Sequence, residues 1–256
     1  MKVALVQSSI VWENPKSNRN FYEEKINALT EQVDLIVLPE MFTTGFTMNP
    51  SVVAETMQGE TVQVLRSLAK AKKCAITGSL IINEGKNFFN RLVFVFPNGE
   101  LQFYDKRHLF TLAGEDKVYT SGKEKLIVDY LGWKICPLVC YDLRFPVFAR
   151  NTENYDLLLY VANWPKPRIN AWDILIKARS VENMCYTIGV NRVGLDSNNL
   201  EYIGHSQVVD YLGNSILEPQ ESEAVFIVEL NKDKMLETRK KLGFLNDLDS
   251  FEIKNL

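Results

Sequence analysis

Histidine is nearly absent: the 256 residues include only His108 and His205. A thiol or hydroxyl nucleophile that depends on imidazole has nothing else to draw on. His108 stands two residues beyond Lys106 and can reach a site formed there, whereas His205 falls inside an apolar strand and reads as packed or exposed. Cysteine is sparse too, at positions 74, 136, 140 and 185, with three of the four inside apolar strand-like runs. That is no disulfide framework, so a reducing cytoplasm is the expected compartment. Cys136 and Cys140 lack metal-knuckle spacing and no Cys/His pair complements them, so no metal site is expected. No apolar run approaches transmembrane length. The opening Met1–Gln7 enters an apolar strand without the features of a signal peptide. A net charge of −3 gives no reason to expect nucleic acid or a membrane surface as partner. Repeats, low-complexity stretches and linkers are missing, so one domain over 1–256 is expected, with 231–256 as its C-terminal tail.

What is present is ordinary globular composition, 46% hydrophobic and 24% charged, in a chain long enough for a substantial core. Residues 2–8 alternate as a strand, and a helix is expected over 17–32. A continuous apolar strand at 34–40 ends in Pro39-Glu40. A helix near 61–72 leads to a buried strand at 74–81. Runs at 91–96 and 101–105 flank Pro97-Asn98-Gly99-Glu100 as a hairpin. The second run continues into Lys106, after which 107–122 carries no period and reads as a long loop, the kind that is more often functional than idle. A second hairpin turns at Leu131-Gly132. A helix over 145–154, a strand at 156–162, a helix over 169–184 and strands at 185–190, 202–209 and 224–230 complete the pattern. Alternating βα units with inserted hairpins predict an α/β fold with mixed sheets.

In such folds ligands sit beyond the carboxyl ends of strands. Glu40, Lys106, Cys140 and Asn163-Trp164 all fall just past such ends, which predicts one shared site. The stretch Lys134–Pro146 carries the strongest chemistry: an apolar strand stops at Cys140, followed by a polar turn and Pro146 near a helix start. This delivers a thiol to the mouth of a turn whose backbone N–H groups can face an oxyanion. The plainer alternative is that Cys140 is a small buried hydrophobe. The base is either a histidine, His108 being placed to serve, or a carboxylate.

Three blocks bear on that choice: Leu35-Ile36-Val37-Leu38-Pro39-Glu40, Tyr104-Asp105-Lys106-Arg107-His108-Leu109, and Leu138-Val139-Cys140-Tyr141-Asp142-Leu143-Arg144-Phe145-Pro146. In this order they resemble the signature blocks of the nitrilase (carbon–nitrogen hydrolase) superfamily. The similarity continues through Val161–Pro165 and Ala178–Asn183 and covers Met1 to about residue 230. The omega-amidase (2-oxoglutaramate amidase) branch is the most similar, through Cys140–Phe145 and Asn163-Trp164-Pro165. The resemblance implies a four-layer αββα sandwich with two mixed sheets and a Glu–Lys–Cys triad, carried over as Glu40 general base, Lys106 cationic stabiliser and Cys140 nucleophile. It also implies a second acidic residue after the lysine, Glu115 or its neighbour Asp116, and a homodimer. Neither metal nor organic cofactor is required.

The roles make physical sense. Glu40 can take the thiol proton, pass it to the leaving amine and then activate water. Lys106, cationic when paired, favours the thiolate and can hold the oxyanion together with the Tyr141 backbone N–H. The branch favours short 2-oxo dicarboxylate monoamides, whose carboxylate calls for a cation: Arg168, Arg144 or Arg192. Trp164, Phe42 and Phe46 follow strand ends and are candidate pocket walls, with Tyr141 and Asn163 also expected to touch substrate. An N-carbamoyl amine hydrolase of the same fold and a catalytically silent binding protein are the competing readings. The intact Glu40, Lys106 and Cys140 argue against the second.

Overall fold

A computed structural model of the protein describes residues 1–254. In chain order, β1 (Lys2–Gln7) leads to α1 (Pro15–Ala28), β2 (Leu35–Val37), α2 (Pro50–Val53) and α3 (Glu60–Lys72). Then come β3 (Ala75–Glu84), β4 (Asn87–Val95), β5 (Leu101–Asp105), β6 (Val128–Tyr130), β7 (Trp133–Val139) and α4 (Pro146–Ala149). The second half holds β8 (Leu157–Ala162), α5 (Ile169–Asn183), β9 (Tyr186–Asn191), β10 (Val193–Leu195), β11 (Glu201–Ile203), β12 (Ser206–Val209), β13 (Ser215–Gln220), β14 (Ala224–Glu229) and α6 (Lys232–Leu242).

The strands form two six-stranded mixed sheets, ordered β14-β1-β2-β3-β4-β5 and β13-β12-β9-β8-β7-β6, and a separate β10-β11 ribbon. The period of two along the strands builds the layers. In β1, Val3 and Leu5 join the core shared with the second sheet, while Ala4 and Val6 join the core under α1 and α3. In β2, Leu35 and Val37 face the first core and Ile36 the second. Trp172 and Ile176 of α5 cover the outer face of the second sheet, giving the αββα sandwich. No helix among the described residues is long and apolar enough to cross a membrane.

Three expectations are corrected. The helix expected over 145–154 is a 3-10 turn, Cys140–Arg144, followed by the four residues of α4. The side chain of Asn151 bonds both the N–H and the carbonyl of Tyr155, at 2.8 and 3.0 Å, which gives the backbone an alternative to helix. The strand expected over 202–209 is broken at Gly204-His205, both at positive φ, so β11 belongs to the ribbon and β12 to the sheet. A Cβ on Gly204 would lie 2.3 Å from the amide of Gln7, so only glycine permits this corner. The helix expected over 17–32 starts earlier, capped by Asn14 with Pro15 in its first turn, and stops at Ala28. β10 and β13 were not anticipated.

Candidate functional site

Parallel pairing of β2 with β3 and of β7 with β8 aligns strand ends, and the two sheets bring those ends together. Glu40 follows β2, Lys106 follows β5, Cys140 follows β7 and Asn163 follows β8. Glu40, Lys106 and Glu115 are all buried, and they meet. The Lys106 ammonium donates to Glu40 Oε1 at 3.0 Å and to the two oxygens of Glu115 at 3.0 and 2.9 Å. Asn163 donates its backbone N–H to Glu40 Oε2 at 2.8 Å and its side-chain amide to the Glu40 carbonyl at 2.7 Å. The Phe110 N–H donates to Glu115 Oε2 at 2.6 Å. Asp116, the neighbour of Glu115, is exposed to solvent, so Glu115 is the acidic residue that meets the lysine.

Cys140 takes up a left-handed conformation, φ 46°, in which a β-carbon is strained. The turn is held by Asp142, fully buried, whose carboxylate accepts from the Val139 N–H (3.0 Å), the Tyr104 hydroxyl (2.8 Å) and the His108 N–H (3.0 Å). The sulfur lies 3.9 Å from the Asn163 carbonyl. Tyr141 is the second residue of the 3-10 turn, so its N–H has no intrahelical acceptor.

Burial pushes the Cys140 thiol well above its usual range, and neighbouring Glu40 adds to this while Lys106 opposes it. Burial and the neighbouring carboxylate thus favour the protonated thiol. Burial alone would lower the Lys106 ammonium, but Glu115 and Glu40 outweigh it and hold the group cationic. Glu115 is raised by burial and by Glu40, against the pull of Lys106.

A cavity of about 360 Å³ opens at the sulfur. Phe46, Tyr141, Asn163, Trp164, Arg144 and Arg168 line it. Phe42 does not: it is buried behind the site, its ring 5.0 Å from that of Tyr22. Arg192 is also fully buried and is absent from the lining. His108 serves Asp142 rather than the thiol, with Nδ1 2.7 Å from Asp142 Oδ1 and its ring stacked on Phe145 at 3.7 Å. His205 pairs with Asp173 at 2.9 Å, away from the cavity lining.

Asn90 escaped the sequence reading. Its amide donates to Glu40 at 2.8 Å and to Glu115 at 3.3 Å, bridging both carboxylates. The available signal was slight, a polar residue between Phe88-Phe89 and Arg91 of β4. Asp196 and Tyr202, which also line the cavity, gave no signal at all.

A half-buried thiol on a strained turn, beside a carboxylate and a doubly paired ammonium at aligned strand ends, marks a class. The chain belongs to the carbon–nitrogen hydrolase family, whose sequence profile matches residues 2–240, and it is a hydrolase of carbon–nitrogen bonds. It is 40% identical over 254 residues to omega-amidase YafV of Escherichia coli strain K12, covering 99% of this chain and 98% of that one. It is 29% identical over 251 residues to 2-oxoglutaramate amidase of Bacillus subtilis strain 168, covering 96% of each. The crystal structure of XC1258 from Xanthomonas campestris, a CN-hydrolase superfamily protein with an arsenic adduct in its active site, matches with a TM-score of 0.97. The two chains are 43% identical over 99% of each.

Proposed function

We propose that the protein is a cofactor-free omega-amidase, hydrolysing the terminal amide of short 2-oxo dicarboxylate monoamides such as 2-oxoglutaramate and 2-oxosuccinamate. The observation that carries this reading is the convergence of Glu40, Lys106 and Glu115 beside the Cys140 thiol in a cavity that also presents Arg168 and Arg144. Similarity to an omega-amidase over nearly the whole chain supports the substrate class.

In this mechanism Glu40 removes the thiol proton as sulfur adds to the amide carbonyl. The oxyanion that forms is held by the Lys106 ammonium and the Tyr141 N–H, donors already in place before reaction. Glu40 returns the proton to the leaving nitrogen, the carbon–nitrogen bond breaks, and ammonia departs from a thioester. Glu40 then takes a proton from water, which attacks the thioester; the carbon–sulfur bond breaks, Glu40 returns that proton to the sulfur, and the diacid departs. Glu115 keeps Lys106 charged and fixed. Because the resting thiol is neutral, the lysine acts chiefly on the oxyanion, a narrower role than favouring a thiolate.

At the other end of the substrate, Arg168 takes the carboxylate. Its guanidinium carbon is 5.1 Å from the Phe110 ring, and its carbonyl accepts from the Trp164 indole N–H at 2.8 Å. Arg144 lies 5.0 Å from the Trp164 ring and is the second cation of the cavity. Phe46 and Trp164 wall the chain between the two ends.

The same reading makes the chain a single catalytic domain that works in the cytoplasm as a homodimer, with neither nucleic acid nor membrane as partner. The exposed Ile174 and Val181 of α5 and the tail residues Leu242, Phe244 and Leu245 are the interface candidates. Light scattering at micromolar concentration tests the dimer.

The decisive assay is ammonia release from 2-oxoglutaramate, compared with glutamine, asparagine and N-carbamoyl amines. Preference for the 2-oxo monoamide is expected. Carbon dioxide release from a carbamoyl amine at a higher kcat/KM overturns the assignment.

A further inference from the structure

Arg192 stands immediately after β9, with none of its surface exposed. Its hydrogen bonds run only to main-chain carbonyls: Nε to Val193 at 3.2 Å, and Nη2 to Ile10 at 3.2 Å and to Leu195 at 3.1 Å. Nη1 has no partner, and among the described residues no carboxylate forms an ion pair with this guanidinium. Burial accordingly holds its pKa below the usual guanidinium range. A buried cation with no ion-pair partner, acted on by Asp196 only from beyond ion-pair distance, is costly, and such costs persist where function depends on them.

What the guanidinium joins is the wall of the cavity. Ile10 lies on the segment that continues to Trp12. Gly45 lies in the turn that carries Phe46, and a Cβ there would come 3.5 Å from Nη1 and 3.1 Å from the Trp12 ring. The third segment is the β10-β11 ribbon, with Leu195 as acceptor and the Tyr202 ring 4.7 Å from the guanidinium carbon. These segments supply Trp12, Phe46, Asp196, Asn198, Leu200 and Tyr202 to the lining.

The ribbon has few other attachments. Val193 donates its N–H to Ser8 at 3.1 Å, Gly204 donates to the Arg192 carbonyl at 3.0 Å, and Glu201 pairs with Lys166 at 2.7 Å. The last is half-exposed and contributes little in water. Within the ribbon, the Tyr202 hydroxyl donates to Asp196 at 3.2 Å, so fixing the tyrosine also fixes the acidic residue.

We propose that the β10-β11 ribbon is the length-selecting wall of the substrate cavity and that Arg192 is the positioning residue that holds it against Trp12 and Phe46. The proposal rests on the omega-amidase reading. Arg192 touches neither the substrate nor the reacting atoms. Its loss loosens that wall, while the hydrogen bonds that join Glu40, Lys106, Glu115 and Asn163 do not pass through Arg192.

The test compares wild type with Arg192→Met and Arg192→Lys in three measurements: kinetics on 2-oxoglutaramate, kinetics on the one-carbon-shorter 2-oxosuccinamate, and the rate of Cys140 alkylation by iodoacetamide. For Arg192→Met, KM for 2-oxoglutaramate should rise about tenfold with kcat falling less than about threefold. The shorter substrate should lose less, and alkylation should stay within about twofold of wild type, because that small reagent needs only the reacting end. Arg192→Lys keeps the charge but loses the fan of carbonyl contacts, so it should show the same split between substrates to a smaller degree. It also carries the test if the methionine variant does not fold. Equal losses in kcat, alkylation and both substrates would reduce Arg192 to a support of the fold, and an unchanged KM for both would remove any role for it. A wild type that releases no ammonia from 2-oxoglutaramate overturns the functional reading instead. A working wild type with an unchanged substrate ratio overturns only the role given to Arg192.

Discussion

Both carboxylate oxygens of Glu115 face the ammonium of Lys106, at 3.0 and 2.9 Å, and all three atoms are shut off from water. The lysine is thereby divided between two glutamates rather than committed to the sulfur. Removing Glu115 leaves the ammonium paired with Glu40 alone and takes away a charge-assisted hydrogen bond, which costs about 1.5–3 kcal/mol. Glu115→Ala should therefore lower the melting temperature by roughly 5 °C, at about 2–4 °C per kcal/mol for a chain of this size. It should also cut kcat at least a hundredfold, the typical effect of losing an oxyanion donor's geometry, about 3 kcal/mol. Asp116→Ala should change neither. Calorimetry and ammonia release check both variants, and a wild-type kcat for Glu115→Ala would show that Lys106 needs only Glu40.

The thiol of Cys140 should rest protonated. Burial and Glu40 push it up, and Lys106 does not reverse this. The difference in absorbance near 240 nm between wild type and Cys140→Ala should show no thiolate between pH 7 and about 8.5, the ordinary thiol range. The variant itself should have no turnover. A thiolate band at neutral pH would mean that Lys106 acts on the sulfur at rest.

Alkylation should nonetheless mark Cys140 first. Cys74, Cys136 and Cys185 are buried in the cores and none of them lines the cavity at the site, whereas Cys140 does. Peptide mass mapping after brief iodoacetamide treatment should place the adduct on residue 140. Equal labelling of Cys74 would indicate that access, not the base, sets reactivity.

Arg168→Ala should act on anionic substrates. A lost charge-assisted bond costs about 1.5–3 kcal/mol, roughly ten- to a hundredfold in kcat/KM. The ratio of kcat/KM for 2-oxoglutaramate to that for a neutral amide of the same length should fall by this factor. An unchanged ratio would move the carboxylate to Arg144.

Stability should decline on the alkaline side. Burial raises Cys74 to about 11 and Cys185 to about 12, and it raises Cys136 and Cys140 as well. The folded chain therefore holds these protons after the unfolded chain has released them. The stabilisation is complete below the unfolded thiol value, near about 8.5, and is lost as pH rises above it. Each such group removes about 1.4 kcal/mol per pH unit while only the unfolded form ionises. Thermal melts should be flat from pH 7 to about 8.5 and fall steeply beyond it. A melting temperature that stays constant to pH 10 would show that the thiols are not insulated from solvent.

Much of this was legible in the chain itself. The alternation in Lys2–Gln7 and the apolar run through Leu35–Val37 require strands, because only a pleated strand sends successive side chains to opposite cores. The order of the blocks around Glu40, Lys106 and Cys140, each at the end of such a run, predicted one site with three named members. Local residue types also marked the Gly99 and Gly132 turns.

Packing decided the rest, because it depends on pairs far apart in sequence. Asn163 reaches Glu40 across 123 positions and Asn90 reaches Glu40 across 50, so neither partner is written near the other. Glu115 and Asp116 carry the same charge on adjacent positions, and only the 3-10 turn that buries one and exposes the other chooses between them. Phe42, Phe46 and Arg192 all follow strand ends, yet Phe46 alone meets the cavity, since successive residues of a turn point different ways. The state of the thiol was the least visible of all. Sequence places a cation near Cys140, but whether that cation lowers the thiol or is spent on two glutamates depends on distances that only the folded chain defines.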